Sequence, residues 1–131
     1  MSPTSTPAQH TPVVLVAEDE VLVRMMTVDV LEEAGCAVIE TENAAAALAV
    51  LDQRSDVQVL ITDVEMPPGP LNGIDLARLT REQFPHIGVV IVSGKVRPSP
   101  DDLPPGTRFV PKPYSATKLT HVVREVLATA A

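Results

Sequence analysis

The chain has 131 residues, 45% of them hydrophobic, enough for one soluble domain with a single core and too few for two ordinary ones. Ten scattered Lys and Arg against seventeen Asp and Glu give a net charge of −7, and aromatics are 2%; this excludes the basic surface with which nucleic-acid binders neutralise phosphates. No apolar run approaches the ~20 residues of a membrane helix, and the single cysteine, Cys36, excludes an internal disulfide and fits a reducing cytosol, where it reads as a small hydrophobe.

Residues 1–12, MSPTSTPAQHTP, lack the charged start and apolar centre of a secretory signal and read as a disordered tail. VVLVA (13–17) is a first strand. A helix follows from about Glu20 to Ala34, with Val23, Met26, Thr27, Val30, Leu31 and Ala34 recurring at three- and four-residue steps, and Gly35 stops it. CAVIE (36–40) is the second strand. Asn43 caps an Ala-rich helix over 44–53, and VQVLIT (57–62) is the third strand. Asn72 caps a helix running to about Phe84, ended by Pro85. GVVIVS (88–93) is the fourth strand and Thr107 to Val110 a short fifth. Ser115 caps a last helix with Leu119, Val122, Val123 and Val126 on one face.

Strands 1, 3 and 4 are continuous Val/Ile/Leu runs, the mark of strands covered on both faces in a parallel sheet. Strands alternating with helices over short links give a doubly wound α/β fold, and such sheets place their sites outside the carboxyl ends of the strands. Those ends carry Glu18 and Asp19, Asp63, Ser93–Gly94 and Lys112. Three carboxylates gathered at one edge raise each other's pKa and destabilise the fold. A hard divalent cation removes that cost; Mg²⁺ favours a few carboxylates with waters and a phosphoryl group. Asp63 is then placed to attack phosphorus and form an acyl phosphate. The Lys112 ammonium would hold one phosphoryl oxygen, and the Ser93 hydroxyl and Gly94 N–H others.

The motifs LVAEDE, LITDVEMP, VVIVSGK and FVPKPY, with 44 residues from Asp19 to Asp63 and 30 from Asp63 to Ser93, resemble the response regulator receiver domains of two-component signalling over about residues 12–129. The resemblance implies a CheY-like, flavodoxin-like five-stranded parallel sheet of strand order 2-1-3-4-5. It makes Asp63 the phosphoacceptor, Asp19 a direct ligand of Mg²⁺ (or Mn²⁺), Glu18 a ligand through water, and the backbone carbonyl of Glu65 a further ligand. It makes Ser93 and Phe109 the switch pair and Lys112–Pro113 a cis peptide bond. A histidine kinase or histidine phosphotransfer protein is the implied phosphate source, a cytoplasmic protein target the implied output, and slow self-directed dephosphorylation the only implied catalysis. After the last helix only ATAA remains, so the expectation is a single-domain regulator: a tail over 1–12 and a receiver over 13–129.

The chain departs from the family in three places. Glu18 stands where Asp is usual. MPPGPLNG (66–73) is a longer loop, read either as a harmless insertion or as a stiff wall beside the site. Between strands 4 and 5, KVRPSPDDLPPGTR (95–108) holds four prolines, each costing roughly 3 kcal/mol inside a helix. The family's fourth helix is therefore expected to be shortened or replaced by a loop with at most one turn. On the first helix Val21, Leu22, Met25 and Val28 are left over from the core face, and read either as ordinary exposed apolars or as a docking patch for a partner helix pair. The rival function is a Mg²⁺-dependent phosphatase of haloacid dehalogenase type, which Asp63-Val64-Glu65 faintly echoes; Met66 stands where its Thr belongs, and there is no cap domain. His10, His86 and His121 lack ligand spacing.

Overall fold

A computed structural model describes residues 11–67, 69–94 and 98–130. Most of the tail expected over 1–12, including His10, lies outside the described residues, as do Pro68 and residues 95–97. The elements run β1 (Val13–Ala17), α1 (Val21–Glu33), β2 (Ala37–Thr41), α2 (Ala44–Gln53), β3 (Val59–Asp63), α3 (Gly73–Gln83), β4 (Gly88–Ser93), a 3₁₀ turn (Pro100–Asp102), β5 (Thr107–Pro111) and α4 (Ala116–Ala130). The strands form one parallel sheet in the order β2-β1-β3-β4-β5, the doubly wound, flavodoxin-like arrangement that the sequence predicts.

The burial of each strand follows its place in the sheet. Every residue of β3 and β4 is buried, and only the first of β1 is not. The edge strands β2 and β5 are largely half-exposed. One core lies under α2 and α3, built on Leu15, Leu60, Ile91, Leu51 and Leu76. The other lies under α1 and α4, built on Val14, Ile61, Val90, Leu31 and Leu119. Period-two alternation of a twisted strand sends Leu15 to one core and its neighbours Val14 and Val16 to the other.

The predicted caps form. Asn43 Oδ1 accepts from Ala46 N–H at 2.7 Å. Asn72 and Asp75 exchange side-chain and backbone bonds as a capping box, and Ser115 Oγ accepts from Lys118 N–H. Gly35, at φ 94°, closes α1.

Helix α1 corrects the sequence reading at two residues. Its buried stripe is Thr27, Val28 and Leu31, so Val28 is a core residue and leaves the docking set, while Met26, assigned to the core, is 68% exposed. Apolar residues occupy every face of this helix, so periodicity alone leaves its rotation open. The docked orientation puts Thr27 inward, because its hydroxyl finds partners there.

Among the described residues between β4 and β5 there is one short turn, Pro100–Asp102, where the family has a helix. Ser99 N–H and Oγ both donate to Asp102 Oδ2, and α3 pins the segment through Arg78 Nη2, which donates to Asp102 O. Arg81 Nη1 donates to the carbonyls of Pro85 and Ile87 and lies beside Gly106. Among the described residues no helix is long and apolar enough to cross a membrane.

Candidate functional site

Three strand ends converge at the carboxyl edge of the sheet. The chain leaves β1 with Glu18 N–H bonded to Thr41 O, which turns the Glu18 side chain inward until it is 3% exposed. β3 ends on Asp63, also buried, with Oδ1 accepting from Val64 N–H at 2.8 Å. β5 delivers Lys112, whose backbone N–H donates to Ser93 O at the end of β4. The start of α3 presses on the same spot: Gly73 N–H donates to Val64 O, and a Cβ on Gly73 would lie 1.7 Å from Asp63 O. Only glycine permits that approach.

The Lys112 ammonium is the hub. Its Nζ lies 2.7 Å from Glu18 Oε1, 3.3 Å from Asp63 Oδ2 and 3.8 Å from Glu20 Oε1. Burial, reinforced by the charge of Asp63 and opposed by the Lys112 bond, pushes the Glu18 carboxyl up from 4.5 to about 7. Burial pulls the Lys112 ammonium down, but the hydrogen bond to Glu18 and the charges of Glu18 and Asp63 outweigh it, so its pKa rises. Carboxylate oxygens of Glu18, Glu20 and Asp63 lie within 4.8 Å of one another. Three hard anionic donors facing one ammonium leave an excess of negative charge, and an all-oxygen set of this kind fits a divalent cation such as Mg²⁺.

Of the predicted residues, the structure brings together Glu18, Asp63, Ser93 and Lys112. Ser93 is 2% exposed, and a Cβ on Gly94 would stand 3.6 Å from Lys112 Cβ. Asp19 is half-exposed and outside the three-carboxylate group; Glu20 takes that place. Glu65 is exposed in the loop after β3. Phe109 is half-buried against the α2/α3 core, and the Lys112–Pro113 bond is cis. Sequence reasoning missed Glu20 as a member, although it completes the EDE run, and Gly73, whose signal was Asn-Gly opening a helix. It also missed a bond between Thr27 Oγ1 and Tyr114 Oη beside the site.

The response regulator receiver domain family model matches residues 14–124. The chain belongs to the response regulator receiver domain family. Among curated relatives, this receiver domain is 32% identical over 120 residues to the response regulator receiver protein CpdR of Brucella abortus, covering 89% of this chain and 98% of CpdR. It is 34% identical over 118 residues to the sensor kinase CckA of the same organism, but spans 12% of that kinase. A crystal structure of a receiver protein from Sinorhizobium medicae superimposes with a TM-score of 0.84 at 23% identity, over 94% of this chain and 99% of that one, a likeness of fold. The receiver family acts as a phosphoacceptor switch rather than as a turnover enzyme, and the haloacid dehalogenase reading gains no support.

Beside the site the receiver presents an apolar face. Val21, Leu22 and Met25 are 56, 74 and 53% exposed, and Met26 joins them. Their helix borders a cleft of ≈ 360 Å³ between Val23 and Met26 on one wall and Pro113 and Tyr114 on the other, with Lys112 lining it too.

Proposed function

We propose that this receiver accepts a phosphoryl group on Asp63 from the phosphohistidine of a histidine kinase or phosphotransfer protein, in the cytoplasm, and signals by protein–protein contact. A carboxylate oxygen of Asp63 attacks phosphorus; the new O–P bond forms as the N–P bond to the donor imidazole breaks, and the electron pair stays on that imidazole. The observation that carries this reading is the Asp63 carboxylate itself: sheltered at the end of β3, held through Oδ1 by Val64 N–H and faced at 3.3 Å by the Lys112 ammonium. Lys112 would hold one phosphoryl oxygen, with the Ser93 hydroxyl and Gly94 N–H on others. Glu18, Glu20, Asp63, Asp19 and the Glu65 carbonyl are the groups that would hold Mg²⁺ (or Mn²⁺), which supplies charge neutralisation to the phosphoryl oxygens. Ser93 and Phe109 form the switch, residues 13–129 the folded unit, and loss of the phosphoryl group is slow and self-directed. Val21, Leu22, Met25 and Met26 form the face that meets the donor. Incubation with acetyl phosphate and Mg²⁺, followed by intact mass, tests the reading: wild type gains one phosphoryl group and Asp63→Asn gains none. An adduct on both, or on neither, overturns it.

A further inference from the structure

Helix α1 is bonded to both walls of the acidic site. Arg24 Nη1 donates to Glu18 O at 2.7 Å, on the wall that β1 supplies. Three residues along the helix, Thr27 is bonded to Tyr114, two residues past Lys112 on the wall that β5 supplies. The direction of that second bond is fixed by proton count. Thr27 has one hydroxyl proton, and Thr27 Oγ1 donates it to Val23 O at 2.9 Å; Tyr114 Oη is therefore the donor and Thr27 Oγ1 the acceptor. Burial pushes the Tyr114 phenol up from its ordinary value, which keeps the donated proton in place.

We propose that the Tyr114–Thr27 hydrogen bond is a positioning contact, which fixes the segment carrying Lys112 to the same helix whose exposed face meets the phosphodonor, so that the ammonium's place beside Asp63 depends on α1. The inference rests on the phosphoacceptor reading. Lys112 reaches Asp63 on a flexible four-carbon stem, so its aim depends on where its backbone is held. On the β4 side, Lys112 N–H on Ser93 O holds it. On the other side the chain passes through Pro113, which has no N–H to donate, and the next side-chain anchor is Tyr114. Tyr114 also packs on the α1/α4 core, so Tyr114→Phe keeps the packing and removes only the bond. Thr27→Val does the same from the helix, and Thr27→Ser keeps the hydroxyl.

The test compares wild type, Thr27→Val, Thr27→Ser, Tyr114→Phe and the Thr27→Val/Tyr114→Phe pair. Phosphorylation rates with acetyl phosphate and Mg²⁺ are read by intact mass, with the lysine side-chain NMR resonances followed alongside. Thr27→Val and Tyr114→Phe are expected to slow the saturating rate about five- to tenfold, the scale of one hydrogen bond's net worth. Apparent donor affinity should stay near wild type, the double variant should be no slower than either single, and the Lys112 resonance should move in all three. Thr27→Ser should keep the wild-type rate. Wild-type rates in folded Thr27→Val and Tyr114→Phe would overturn the proposal, as would a Thr27→Ser variant as slow as Thr27→Val. Should wild type take up no phosphoryl group, the phosphoacceptor reading falls, and the Lys112 resonance across the same variants still decides the positioning claim.

Discussion

Lys112 and Glu18, 94 residues apart in the chain, meet at 2.7 Å between Nζ and Oε1. Glu18 is almost fully enclosed and Lys112 largely so. One of the site's three crowded acids is thereby held against the cation that also faces Asp63.

Removing that cation exposes the crowding. Lys112→Met keeps most of the stem and leaves Glu18 and Asp63 without their counter-charge, a change expected to cost about 2 kcal/mol after allowing for the ammonium's partial exposure. Urea unfolding at pH 8 without divalent ions measures it. An unchanged midpoint would show that the ammonium offsets none of the repulsion.

The raised Glu18 pKa fixes a pH dependence with a definite sign. In the unfolded chain Glu18 loses its proton near 4.5, and in the folded protein near 7. Below both values the two states bind the proton equally. Between them the unfolded state releases it first, so this group's contribution to stability is lost as pH rises towards about 7, by at most ~3 kcal/mol. Without divalent ions, Glu18→Gln should flatten the stability profile over that window. Added Mg²⁺ should raise the melting temperature of wild type more at pH 8 than at pH 5. A slope that survives Glu18→Gln would assign it to other groups.

Gly73→Ala drives a methyl into the Asp63 carbonyl, 1.7 Å from its oxygen. Backbone on both sides leaves little room to yield, so a loss of about 2–3 kcal/mol is expected. The Val64 amide resonance should move with it, since that N–H is bound to Asp63 Oδ1. Wild-type stability would mean that α3 shifts freely away from β3.

Met25→Asp places a charge on the exposed face of α1 without touching the acidic site. The ratio of the phosphorylation rate from a phosphohistidine protein to that from acetyl phosphate should fall about tenfold, the size of a single important interface residue. If the ratio holds, the patch of Val21, Leu22, Met25 and Met26 is ordinary exposed surface.

How far the sequence could be read depended on whether one local pattern decided the outcome. Val59–Asp63 and Gly88–Ser93 declared themselves as doubly covered strands through unbroken apolar runs, and that placed Asp63 and Ser93 at the carboxyl edge. Pro98, Pro100, Pro104 and Pro105 forbade a long helix before β5. Helix α1 carried no such pattern: with apolar side chains all round, hydrophobic period could not choose between Met26 and Val28, and the choice fell to the Thr27 hydroxyl and its partner 87 residues away. Glu20 and Asp19 were likewise inseparable in a run of three acids. Which of them turned towards Asp63 depended on where α1 begins, at Val21, and on the backbone that Thr41 and Arg24 hold in place.

The short turn over β5 has a consequence for how this protein breathes. Where β3 lies between neighbours under full helices, β5 is an edge strand, and one of its sides is open to a groove of ≈ 630 Å³ beside Leu103, Pro104 and Phe109. The thinnest wall of a fold is the first to open. Amide exchange should therefore run faster in Thr107–Pro111 than in Val59–Asp63, and each brief opening would carry Lys112 away from Asp63.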